Sequence, residues 1–258
     1  MNLLSHYACS LPFTDPVRLG SVLPDLYRLH RRTPRMNTIA DLWEDSERVS
    51  GEIAEVLKGY RFHLYVDSLF HKSPLFVTHT RALREAMEAA SDESGLRRFF
   101  AAHLLLEIYL DHYLIGEIPE LLSDYQALIE GGREGLIQAV LTIHPEVSEV
   151  ALSGFLDRIL ADRFVEDYRD EEGIFYRAGR ILSRMGQRPL NESEARAISF
   201  YMNQQESAIR QALLRFVERV QQWQEDRPGW EGEGLALAGG SYQNTSIKFE
   251  GPSGADGD

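Results

Sequence analysis

Cysteine is nearly missing from this chain: Cys9 is the only one in 258 residues. A lone thiol cannot close an internal disulfide, so packing must hold the fold, and a reducing compartment suits it. No apolar run is long enough to span a bilayer. The opening MNLLSHYACS lacks the basic stretch and long apolar core of a secretory signal. The expectation is a cytoplasmic protein with no membrane span. Positive charge is also short. Lys and Arg number 27 against 40 Asp and Glu, a formal net charge of −13. Neutralising a phosphate backbone needs a basic surface, so general nucleic-acid binding is excluded as an expectation. Period-two alternation and hairpin turns are scarce, which argues against β structure. There is no G-x-S-x-G and no phosphate-binding glycine loop of either standard kind.

What is present is helical pattern. With 43% hydrophobic and 26% charged residues, the chain can bury an ordinary globular core. Apolar spacing predicts helices near 16–30, 38–57, 59–72, 75–90, 95–115, 118–130, 133–143, 147–168, 173–185 and 192–224. Segment 2–9 is too short to assign on its own. Breaks are expected at Pro74, Gly116, Pro119, Gly131-Gly132, Pro145, Gly173 and Gly186. Asn191 followed by Glu194 reads as a capping box opening the last long helix. Its stripe Ile198, Met202, Ile209, Leu213, Phe216 and Val220 reads as core packing. The composition then shifts after Asp226 to Gly, Ser and acid. The prediction is one all-α domain over 1–225, with a disordered tail over 226–258.

Two helices carry polar residues where apolar ones would be cheaper. In SGLRRFFAAHLLLEIYLDHYLIG, His103, Glu107 and Asp111 recur every fourth residue, with His112 beside them. In GYRFHLYVDSLFHKSP, His63, Asp67 and His71 keep the same step. A four-residue step stacks side chains on one helix face. Buried carboxylates are costly unless they are paired or hold a metal. Imidazole and carboxylate together suit Mn, Fe, Zn or a comparable ion, and facing helices can surround one. Phosphoester hydrolysis by metal-activated water is the natural reaction class. Cys9 reads as a packing residue, and His30, His79 and His144 as ordinary surface or packing residues. The segment YRLHRRTPR clusters Arg28, Arg31, Arg32 and Arg35. From composition alone it is a solvated charged loop.

In their order along the chain, these motifs resemble those of the acyl carrier protein phosphodiesterases, an unusual branch of the HD phosphohydrolase superfamily. MNLLSHY is similar to that family's Met-Asn-Phe-Leu-Ala-His-Leu start, which aligns His6. GSVLPDLYR is similar to its Gly-Asn-x-x-x-Asp segment, which aligns Asp25. HLYVDSLFHKSP resembles His-Arg-x-Ile-Asp-x-x-Thr-Asp-x-His-Pro, matching His63, Asp67 and Pro74. LLLEIYLDHYL resembles an acidic-x3-Asp-His-x-Leu helix, matching Glu107, Asp111 and His112. A later stretch, FVEDYRDEEGIFYRAGRILSRMGQRP, is also similar.

The resemblance implies an all-α, HD-like fold of about eight to ten helices that depends on a divalent metal, typically Mn²⁺. It implies hydrolysis of the phosphodiester joining 4′-phosphopantetheine to a serine of acyl carrier protein. Asp25, Asp67 and Asp111 would be the catalytic carboxylates. His6, Asp25, His63, Asp67, His71 and Asp111 would line the metal, supported by Glu107 and His112. Acyl carrier protein is acidic, so Arg28, Arg31, Arg32 and Arg35 would steer it.

The chain departs from the pattern at four places. Leu64 replaces an arginine, Phe70-His71 replaces Thr-Asp, Ser73 replaces a histidine and Ser21 replaces an asparagine. Those departures keep two other classes open: a hydrolase of another phosphoester, and a noncatalytic helical binding protein on the same scaffold.

Overall fold

A computed structural model describes residues 1–30, 49 and 51–225. These form an all-α domain of ten helices and one short 3₁₀ segment. In chain order the helices are α1 (Leu3–Cys9), α2 (Asp15–His30), α3 (Glu52–His71), α4 (Pro74–Ala90), α5 (Arg98–Glu117), α6 (Leu121–Gly131), α7 (Arg133–Ile143), α8 (Glu149–Asp162), α9 (Glu171–Arg184) and α10 (Glu192–Glu225). The 3₁₀ segment, Phe164–Arg169, joins α8 to α9. None of the helices among the described residues is long and apolar enough to cross a membrane. The expected tail, 226–258, and most of the expected helix 38–57 lie outside the described residues.

Alpha-helix α5 is apolar nearly all the way round, the mark of a helix buried on every side. It packs against α1, α4, α6, α9, α10 and the 3₁₀ segment, and so forms the centre of the domain. The stripe on α10 is core packing as the spacing implies: Ile198, Met202, Ile209, Leu213 and Val220 are buried. The capping box is present as well. The Glu194 N–H donates to Asn191 Oδ1 at 2.9 Å, and the Asn191 N–H donates to Glu194 Oε2 at 3.1 Å. Glu194 also accepts both Arg188 terminal nitrogens at 2.7 Å, which ties the 91–97 loop to the start of α10.

Gly116, an expected break, lies inside α5, and three other differences from the sequence expectation have a local reason. Where one helix is expected to end at 57 and another to start at 59, the chain runs as one unbroken helix, Glu52–His71, and Gly59 is a packing residue inside it. A Cβ on Gly59 would fall 1.9 Å from the Val17 carbonyl oxygen, and one on Gly20 would fall 1.8 Å from that of Val56. Only glycines let α2 and α3 approach this closely. The span 147–168 is interrupted at Arg163, whose φ of 44° ends α8 and opens the 3₁₀ turn. Gly173 lies inside the first turn of α9, whose N-cap is Asp170; the Gly173 N–H donates to Asp170 Oδ1 at 2.8 Å.

The short opening segment is a helix, and all seven of its residues are buried. Too short to be stable alone, α1 is held from outside by contacts with α2, α3, α5, α6 and α10. Gln221 of α10 donates to the Ala8 carbonyl at 2.8 Å. Cys9 is fully buried here, and burial pushes its thiol up, away from the reactive thiolate. Cys9 is therefore a built-in reporter on α1. In native buffer it should be labelled by a thiol reagent at least about 10³-fold more slowly than in denaturant, because reaction requires α1 to open. Mass spectrometry of the labelling time course checks this; prompt native labelling would mean that α1 is undocked.

Candidate metal centre

Helices α1, α2 and α3 each bring one side chain to a common point. His6, Asp25 and His63 offer ligand atoms that all lie within 4.8 Å of one another. The close α2–α3 crossing at Gly20 and Gly59 sets His63 against Asp25, with His63 Nε2 4.0 Å from Asp25 Oδ1. The His6 and His63 rings stack at 3.7 Å between centroids. His63 Nδ1 lies 2.8 Å from the Ser21 carbonyl oxygen. A carbonyl can only accept, so Nδ1 carries a proton and the opposite nitrogen, Nε2, is the one that faces Asp25, the arrangement that orients metal-binding imidazoles. Both His6 nitrogens are buried and lack a hydrogen-bond partner among the described residues. Burial, followed by the neighbouring His63, pushes His6 down to about 4, so it is a neutral imidazole. Two buried imidazoles beside a carboxylate form a donor set that suits a divalent cation.

Asp67 extends this cluster towards a second one. Its Oδ1 lies 3.8 Å from His6 Nε2, and its Oδ2 lies 3.3 Å from His71 Nδ1. His71 in turn meets the α5 ladder: His71, His103 and Glu107 form a second group of ligand atoms within 4.8 Å. Asp67 and Glu107 also share one cation. The Met1 α-ammonium, fully buried, donates to Asp67 Oδ1 at 3.0 Å and to Glu107 Oε1 at 2.7 Å. Burial opposes its charge, but Asp67 and Glu107 outweigh that cost and hold it up at about 11. Burial likewise opposes ionisation of both carboxylates. The ammonium and nearby histidines nonetheless keep each well below the usual carboxylate range. Against partial burial, Asp67 and Glu107 raise His71 to about 9.

Asp111 sits one turn further along α5, and α1 occupies its oxygens. Oδ1 accepts the Ser5 N–H at 2.8 Å and the Ser5 hydroxyl at 2.5 Å, while Oδ2 accepts the Leu4 N–H at 3.1 Å. Burial pushes its carboxyl up to about 7 against the pull of those bonds. The Asp111 carboxylate thus caps the first turn of α1 from another helix. Beside it, His112 Nδ1 donates to the Tyr168 carbonyl at 2.7 Å and ties α5 to the 3₁₀ segment.

Seven of the sequence-identified residues therefore lie along one continuous path: His6, Asp25, His63, Asp67, His71 and Glu107, with Asp111 behind α1. His103, which the family pattern does not require, stands directly in that path; its signal was the four-residue step to Glu107. Nothing in the sequence marks the Met1 ammonium as part of it. Ser73, one of the departures, is the N-cap of α4, accepting the Phe76 N–H at 3.2 Å ahead of Pro74. Leu64 is buried in the core. Of the basic segment, Arg28 falls on α2, while Arg31, Arg32 and Arg35 lie outside the described residues. Two of the histidines read as ordinary have packing partners: His79 Nδ1 is 2.7 Å from the Tyr201 hydroxyl, and His144 stacks on Tyr27. Comparison with protein-family models, curated proteins and solved structures yields no match to this chain.

Proposed function

We propose that the chain is a metal-dependent phosphodiester hydrolase, a divergent relative of the acyl carrier protein phosphodiesterases. One observation carries this reading. His6, Asp25 and His63, far apart in sequence and on three separate helices, bring their ligand atoms within 4.8 Å, with Asp67 alongside. These are the positions that the motif resemblance designates for the metal. The substrate that follows is holo-acyl carrier protein, and the product is free 4′-phosphopantetheine. Arg28, one turn beyond Asp25 on α2, begins the basic segment that would meet the acidic carrier.

In this reading Asp25 and Asp67 supply the negative charge that retains a divalent ion, Mn²⁺ by family resemblance, and His6 and His63 supply neutral nitrogen donors. When bound, such an ion lowers the pKa of water and neutralises charge on phosphoryl oxygens. The Ser21 carbonyl fixes the His63 tautomer. Asp111 acts through α1: it anchors Leu4 and Ser5, and so positions His6 without touching the substrate.

The test is incubation of the purified full chain with holo-acyl carrier protein and Mn²⁺, read by mass spectrometry as loss of the phosphopantetheine mass. Apo-carrier should appear, and Asp25→Ala or Asp67→Ala should lower the rate by at least about 10³-fold while helical content persists. Absence of apo-carrier across Mn²⁺, Mg²⁺, Zn²⁺ and Co²⁺ from a folded sample would rule the reading out.

A further inference from the structure

We infer that His71, His103 and Glu107 form a second metal site, separate from the His6–Asp25–His63 cluster and suited to a borderline divalent ion such as zinc or cobalt. The inference does not depend on the hydrolase reading.

The three ligand atoms outline a triangle. His71 Nε2 to His103 Nε2 is 3.1 Å, His103 Nε2 to Glu107 Oε1 is 2.8 Å, and His71 Nε2 to Glu107 Oε1 is 3.5 Å. Ligands at about 2.0–2.1 Å from a tetrahedral ion are spaced by about 3.3 Å, so this triangle matches one face of such a site. Protons serve the triangle poorly. Two imidazole nitrogens 3.1 Å apart cannot both carry a hydrogen. One proton cannot serve all three sides: on His71 Nε2 it leaves the His103 lone pair against Glu107 Oε1, and on His103 Nε2 it leaves the His71 lone pair against Glu107 Oε1. A divalent ion would engage all three ligand atoms at once, sharing Glu107 Oε1 with the Met1 ammonium that donates to it at 2.7 Å.

A second observation points the same way. His71 Nδ1 is held by Asp67 Oδ2 at 3.3 Å, which commits the opposite nitrogen, Nε2, to the triangle. A carboxylate behind a histidine is the usual support of a metal-bound imidazole. Asp67 thus stands between the two clusters, bracing His71 on one side and facing His6 on the other. The site is also open. The side chains of His71, His103 and Glu107 keep 32%, 28% and 16% of their surface exposed, so water or a substrate oxygen can take the fourth position. Three protein ligands and an open fourth place are the layout of reactive rather than purely structural zinc sites.

The experiment titrates the chelator-stripped full chain with Zn²⁺ by calorimetry, and with Co²⁺ by the visible absorption of tetrahedral cobalt. Wild type, His103→Gln, His71→Gln and Asp25→Asn are compared, with thermal melts confirming the fold. The expected result is a binding event weakened more than about 10-fold in His103→Gln and in His71→Gln, and retained in Asp25→Asn. Titration of both histidine variants like wild type overturns the inference, as does a wild type that binds neither ion. An event lost only in Asp25→Asn overturns it too, by assigning all binding to the other cluster. Failure of the hydrolase reading is seen separately, as no apo-carrier from a protein that still shows the His103-dependent event.

Discussion

Asp111→Ala should cost the fold about 3–5 kcal/mol and lower its melting midpoint by roughly 6–20 °C. The residue is fully buried, and among the described residues its two oxygens are the acceptors for the Leu4 N–H, the Ser5 N–H and the Ser5 hydroxyl. Alanine leaves three buried donors without an acceptor, each worth about 1–3 kcal/mol when stranded. The alternative is for α1 to lift away and recover those bonds from water, giving up the burial of Leu3, Leu4, Tyr7 and Ala8. Both routes are costly, and the second also speeds Cys9 labelling, so the two measurements together tell which is taken. Asp111→Asn, which keeps one acceptor oxygen and the volume, should recover part of the loss. A midpoint unchanged in Asp111→Ala would mean that α1 is not anchored there.

The second large effect is expected at the α2–α3 crossing. Gly59→Ala should destabilise by about 3 kcal/mol or more and weaken metal binding at the His6–Asp25–His63 cluster. In an ordinary helix interior the same change stabilises by roughly 0.5–1 kcal/mol, because alanine has the better helix propensity. Here that gain is outweighed. The new methyl would lie 1.9 Å from the Val17 carbonyl oxygen and 2.8 Å from Gly20 Cα, both backbone atoms that cannot rotate away. The helices must separate, which carries His63 away from the Ser21 carbonyl and Asp25. Gly179→Ala on α9 is the control: its Cβ would meet nothing within 4 Å, so it should be stabilising. Thermal melting of the two variants side by side decides the matter, and a neutral Gly59→Ala would refute the crossing.

These two residues also mark where the sequence stops being legible. The helical class, the α10 stripe and the Asn191–Glu194 cap follow from local spacing, because every partner lies within a few residues. The His63–Asp67–His71 and His103–Glu107 steps are local in the same way and indicate which faces carry polar groups. What spacing does not contain is which faces meet. The packing role of Gly59 is invisible until its partner, 39 residues earlier at Gly20, is known. Asp111 looks like another rung of the α5 ladder, yet its partners lie more than 100 residues away on α1. His103 loses weight when compared with a motif pattern and regains it only beside His71, 32 residues upstream. Motif resemblance gathers candidate residues, but it does not separate a side chain that faces a cation from one that anchors a neighbouring helix.

The docking of α1 has a consequence for how the chain is made. Ser5 leaves the ribosome 106 residues ahead of the aspartate that caps it, and Ala8 leaves 213 residues ahead of Gln221. At about 5–20 residues per second, the apolar segment Leu3–Cys9 waits roughly 5–20 s for Asp111 and longer for α10. Throughout that interval α2 and then α3 are the only partners of α1 already made among the described residues, and the face that meets α5, α6 and α10 stays uncovered, which makes it the natural stretch for a chaperone to hold during synthesis.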